Sequence, residues 1–131
     1  MPSEPSLVTP IAIGIGAVPG ALARFYLTLF CDRILGSHFP YGTFMINLSG
    51  AFAMGFLAAA IAAGHLPSTV VQRLITVGFI GSYTTFSTYT LDTVNLLRRG
   101  QRRRAAVYWA GSAILGMLSV EAGLFCGAWV S

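Results

Sequence analysis

Residues 41–63 read YGTFMINLSGAFAMGFLAAAIAA, an apolar run without a charged side chain. It exceeds the ~20 residues that a helix needs to cross a ~30 Å hydrocarbon core. Asn47 lies inside the run, not at its edge. An amide in hydrocarbon has to face protein or a wet pathway, so Asn47 is a candidate functional residue. The same reading extends outward. Residues 7–30, 70–97 and 105–130 are also long and apolar, carrying only Arg24, the pair Arg73 and Asp92, and Glu121 as charges. Short linkers containing Gly, Pro, Ser, His or Arg separate them, and their Pro and Gly end helices. None of the four shows the two-residue alternation of a membrane barrel. The sequence therefore predicts an all-α membrane protein with four transmembrane helices in a single domain, 1–131, with both termini on one side.

Composition agrees. Charged residues make up 9% of the chain and hydrophobic ones 55%, with a mean hydropathy of +0.72. A soluble domain carries about 25% charge. This deficit argues against a disordered chain, a nucleic-acid-binding arm and most soluble enzymes. All 8 basic residues are Arg, and five of them crowd into 98–104. Beside long apolar segments, such a run reads as a loop facing anionic lipid rather than nucleic acid. Cys31 and Cys126 are too few for a disulfide framework and read as small apolar residues. Glu4 precedes the first segment where a signal peptide would carry basic residues, so that segment is expected to remain in the mature protein. His38 and His65 fall in linkers, and no nucleophile–base set suggests an enzyme.

Small residues recur at helical spacing. Gly16 and Gly20, and Gly123 and Gly127, form GxxxG pairs; Ala51 with Gly55 and Ser112 with Gly116 repeat the pattern. Such stripes let helix backbones approach, within one chain or between two. Four helices enclose little interior for a solute path, so an oligomer is expected. Residues 78–90 stand apart, with two Gly and six Ser or Thr among thirteen positions in the middle of an apolar segment. This mix favours helix poorly. Two readings stay open: a break whose freed carbonyls face protein, water or a cation, or an intact helix whose hydroxyls bond back to the preceding turn. Arg24 either snorkels or lends positive potential to a vestibule. Glu121 either pairs with Arg24 or lines a pocket.

Three stretches in order carry a family resemblance. They are Gly14, Gly16 and Gly20 followed by Arg24; Gly42-Thr43 through Asn47 to Gly50; and Gly78-Phe79-Ile80-Gly81 followed by Thr84-Thr85-Phe86-Ser87-Thr88. Together they resemble the small bacterial fluoride channels of the CrcB or Fluc family, over essentially the whole chain. The resemblance implies an antiparallel, dual-topology dimer with two fluoride pores, in a multi-pass arrangement in the bacterial plasma membrane. The third helix would be broken mid-membrane. Main-chain carbonyls of Gly81 and Thr84 from both chains would hold a structural sodium ion at the two-fold. Asn47, Phe86 and Tyr89 would line the pore. Ser87, Thr88, Tyr108 and Ser112 would form the polar track onward, with Arg24 at the vestibule. The family usually has Phe where this chain has Tyr89, and some members have a hydroxyl where it has Gly116. The implied role is export of cytoplasmic fluoride down its gradient.

The charges complicate the dimer. Arg33 and the cluster at 98–104 share one side, while Arg73 lies on the other. The positive-inside rule would then fix one orientation. The chain is expected either to pair with itself in both orientations or to be half of a heterodimer with an oppositely inserted paralogue. Two rival functions are a small multidrug-resistance exporter and a non-conducting subunit. The exporter needs an acid in the first span, and 7–30 has none.

Overall fold

The computed structural model describes residues 6–130; Glu4 lies outside them. Helix α1 spans Val8–Leu35 and α2 spans Tyr41–Ala62. Helix α3, Thr69–Arg73, runs without interruption into a π-helical stretch, Leu74–Ile80, and on into α4, Gly81–Tyr83. Thr84 and Thr85 are extended. Helix α5 then covers Phe86–Arg98 and α6 covers Arg102–Val130. Among the described residues, three helices are long and apolar enough to cross a membrane: Val8–Leu35, Tyr41–Ala62 and Arg102–Val130. The fourth expected span, 70–97, is not one helix.

Two other boundaries differ from the sequence reading by more than one residue. Helix α1 continues five residues past Phe30, because Cys31 is buried and Ile34 and Leu35 prolong the apolar surface. Gly36, at φ 78°, stops it. Helix α6 begins at Arg102 rather than Ala105, so three arginines form its first turn. Pro19 sits inside α1 without ending it. A membrane helix tolerates this where neighbouring elements satisfy the freed backbone.

The glycine stripes are used within the chain. A Cβ on Gly16 would collide with the Leu74 carbonyl, and one on Gly20 with the Phe79 carbonyl and Ser82 Oγ. Helix α1 thus lies backbone-to-backbone against the π-helical stretch. Gly55, Gly123 and Gly127 do the same for α2 and α6, meeting the carbonyls of Val120, Phe52 and Phe56. Gly116 meets nothing within 4 Å. Such contact replaces a hydrophobic driving force that lipid-embedded helices lack. The buried apolar core is small, with Tyr108, Leu96 and Ala105 at its centre and Phe39, Phe44 and Tyr89 packed around them. Outward residues are apolar: Ile11, Ile15, Val18 and Leu22 on α1 are each more than half exposed. Water would penalise such a surface; lipid does not.

Candidate functional site

The site begins where α4 stops. In a continuous helix the Thr85 N–H would bond the Gly81 carbonyl and the Thr88 N–H would bond the Thr84 carbonyl. Neither does. The Thr85 N–H donates to Asn47 Oδ1 at 2.9 Å, and Asn47 Nδ2 donates back to the Thr85 carbonyl at 2.9 Å. The Thr88 N–H donates to Thr85 Oγ1 at 3.2 Å, an N-cap for α5. One side chain from α2 and one from the extended pair therefore take the two donors that would have closed the helix. The carbonyls of Gly81 and Thr84 lose their helical partners as a result. Thr84 Oγ1 meanwhile bonds back to the Ile80 carbonyl at 3.0 Å, finishing α4.

Three hollows follow one another from this interruption. Asn47, Gly50, Ala51, Met54, Ile80, Thr84, Thr85, Phe86 and Val120 line the first, of about 370 Å³. Phe86 is 79% exposed in the single chain. Thr85 also lines the second hollow, of about 330 Å³, with Arg24, Thr28, Thr43 and Thr88. Thr28, Thr43 and Thr88 recur in the third, of about 220 Å³, with Asp32, His38, Asp92, Asn95 and Arg99. Each hollow shares hydroxyl side chains with the next. The series runs from the interruption to the end where the α1–α2 and α5–α6 linkers meet.

Hydroxyls connect along it. Thr85 Oγ1 donates to Thr88 Oγ1 at 3.0 Å and lies 3.2 Å from Ser87 Oγ. Tyr108, fully buried, donates to Asp92 Oδ2 at 3.3 Å. Its ring packs on Tyr89 at 5.4 Å and meets Phe39 edge-on at 5.5 Å. Tyr89 in turn donates its hydroxyl to the Trp109 carbonyl at 2.7 Å, and its ring lies 5.7 Å from that of Phe86. Ser112 Oγ is buried without a hydrogen-bond partner.

Residues 11–124 match the sequence profile of a family described as CrcB-like protein, Camphor Resistance (CrcB). The chain belongs to the CrcB family. A protein of Trichormus variabilis named fluoride-specific ion channel FluC is 48% identical over 128 residues, covering 97% of this chain and 93% of its own. Proteins of the same name from Synechococcus and Synechocystis are 46% and 45% identical, over 92% and 90% of this chain and 93% and 91% of theirs.

In this CrcB chain the residues singled out from sequence fall into groups. Asn47 and Phe86 share the first hollow, and Arg24 and Thr88 share the second. Tyr89 and Tyr108 touch each other. Ser87 is exposed, and neither it nor Ser112 lines any of the three hollows. Arg24 and Glu121 do not form the ion pair considered from sequence: Glu121 is exposed on α6, which packs on α2, whereas Arg24 faces the hollow beside α1. Two residues that the sequence reading named only as parts of motifs, with no role, matter here. Thr85 is the hub of the hydroxyl contacts, and Thr43, buried on α2, lies beside the Asp92 carboxylate. The sequence signals for Thr43 were its place in the stretch Gly42-Thr43 through Asn47 and its position four residues before Asn47, one helical turn away on the same face.

Proposed function

We propose that this chain is a fluoride-selective channel in the bacterial plasma membrane, passing cytoplasmic fluoride outward down its gradient. The observation that carries the reading is the series of hollows leading from Asn47 and Phe86 through shared hydroxyls. The names of the relatives specify the ion. The segment 70–97 crosses the bilayer as two halves joined at Thr84 and Thr85, an interruption tolerable in lipid only where protein or a wet path covers it.

Fluoride is small and tightly hydrated, so its path needs donors that replace water. Asn47 uses one Nδ2 proton on the Thr85 carbonyl and keeps the second for an anion. Thr88 accepts from Thr85 and likewise keeps its own proton. Ser87, Tyr108 and Ser112 lie outside the three hollows and extend the hydroxyl track beside them, with the Tyr108 proton engaged by Asp92. Phe86 and Tyr89 offer ring edges, whose partial positive charge suits an anion. Arg24 raises the positive potential of the entrance hollow. Chloride is too large for a narrow path of fixed donors, while several moderate sites let fluoride leave as well as enter.

A single chain leaves this path open on one side, where Phe86 is exposed. A second, antiparallel copy supplies the missing wall and creates two pores. The freed carbonyls of Gly81 and Thr84, doubled by the partner, form a set of hard oxygen donors that fits a sodium ion. A sodium ion held by these carbonyls would supply electrostatic fixing of the interruption rather than a conducted charge. A second reading, one half of a heterodimer with an oppositely inserted paralogue, is favoured by the crowding of Arg33 and the arginines of 98–104 at one end. Liposomes loaded with fluoride or chloride test the proposal. Purified chain alone should release fluoride rapidly, read with an ion electrode, and leave chloride inside. Chloride loss at a similar rate refutes selectivity; no fluoride loss from folded protein refutes the homodimeric channel.

A further inference from the structure

The α5–α6 corner carries a feature that the series of hollows touches only at Arg99. Arg98 and Arg99 end α5, and Arg102, Arg103 and Arg104 open α6. All five are exposed, and among the described residues none of their guanidinium groups has an ion pair. The turn between them is tight. Gly100, at φ 75°, lets its N–H bond the Leu97 carbonyl while the Gln101 N–H bonds that of Leu96, both at 3.0 Å. Five positive charges are thus held in one reverse turn. Three of them stand at the positive end of a 29-residue helix with no acid in its first turn. The helix dipole disfavours cations there. An anion relieves both the dipole and the mutual repulsion.

Next to this turn, α5 and α6 leave an apolar groove of about 320 Å³, lined by Thr93, Leu97, Arg102, Ala105, Ala106 and Trp109. Arg102 is its only charge. Trp109, 58% exposed, stands two helical turns further in, about 10 Å along the axis. A charged mouth, an exposed Trp two turns along the helix and an apolar floor match the order of groups in a phospholipid: headgroup, glycerol region, acyl chain.

We propose that this corner is a binding site for one anionic phospholipid. Its phosphate sits on Arg102, helped by Arg98 and Arg103, and one acyl chain lies in the groove against Leu97, Ala106 and Trp109. The inference rests on the membrane reading but not on fluoride passage, and its test reads fluorescence rather than flux. Full-length Trp129→Phe protein leaves Trp109 as the only Trp. It is reconstituted in phosphatidylcholine vesicles containing a small fraction of either phosphatidylglycerol or phosphatidylcholine with brominated acyl chains, which quench Trp on contact. The brominated anionic lipid should quench at a several-fold lower mole fraction than the brominated zwitterionic one. Arg102→Gln should raise that fraction about five-fold, while Arg102→Lys largely preserves it. Equal quenching by the two lipids overturns the proposal, as does a preference unchanged when Arg98, Arg102 and Arg103 are all Gln. Absence of quenching by either lipid also overturns it, since a second copy of the chain then covers the groove.

Discussion

Asn47 acts on the backbone, whatever its part in the proposed path. Its side chain is matched to the Thr85 peptide group in both directions, so removing it leaves a half-buried N–H and C=O unpaired. Such orphaned groups cost about 1–3 kcal/mol each. Asn47→Ala should therefore lower the thermal stability of the detergent-solubilised protein and slow fluoride efflux at least ten-fold. Asn47→Asp keeps the acceptor for the Thr85 N–H but loses the donor and adds a negative charge. It should abolish efflux with a smaller loss of stability, and undiminished flux in Asn47→Asp would remove this residue from the path. Tyr89 poses the opposite case. Its hydroxyl is already engaged by the Trp109 carbonyl, which ties the ring to α6; on the proposed path its edge is then the group left to face an anion. Tyr89→Phe should cost about 1 kcal/mol of stability and leave fluoride efflux unchanged. A large rise or fall in flux would show that the hydroxyl itself contacts the ion.

At the scale of elements, close helix contact does the work that a large core does in water. Gly123 on α6 sits against the Phe52 carbonyl of α2, whereas Gly116 on the same helix faces open space. Gly123→Ala should destabilise the protein by about 1–3 kcal/mol, because backbone has to move to admit the methyl. Gly116→Ala should be neutral or slightly stabilising, since Ala favours helix more than Gly does. Thermal unfolding of the two variants in one detergent compares them directly, and equal effects would mean that the α2–α6 contact is looser than the structure has it. The π-helical stretch Leu74–Ile80 belongs to this scale too. It lies where Gly16, Gly20 and Gly78 bring α1 against it, so packing accompanies the departure from regular α-helix.

For the whole molecule, the proposed dimer turns on orientation: a chain that pairs with itself, or a fixed half of a heterodimer. With Cys31 and Cys126 replaced by Ser, single cysteines at Ser37 and Ser68 report opposite ends of the bundle. A homodimer inserted both ways should show each site about half labelled by an impermeant thiol reagent from outside, as equal populations of two orientations require. Complete labelling of one site and none of the other would fix a single orientation and support the heterodimer. The charge distribution sharpens the question, because Asp32, His38 and Arg99 line one hollow and so place the α1–α2 and α5–α6 linkers at the same end.

Apolar length and the scarcity of charge are local properties, and they were enough to establish a helical membrane protein from sequence. Asn47 and the stretch 78–90 stood out for a similar reason, as a polar or hydroxyl- and glycine-rich interruption inside an apolar run, whereas the roles expected of Gly81, Thr84 and Phe86 came from the family resemblance alone. Composition could not decide whether 70–97 stays helical, since its hydroxyls can bond their own preceding turn or be bonded elsewhere. The deciding partner of Thr85 is Asn47, 38 residues away, and only the docking of α2 beside the segment brings them together. The same holds for the Trp109 carbonyl that receives the Tyr89 hydroxyl and for Thr43 beside Asp92. Hydrophobic patterning dictates where a chain resides and how often it turns. Which backbone groups lose their helical partners depends on side chains from distant positions, and that is settled only when the helices pack.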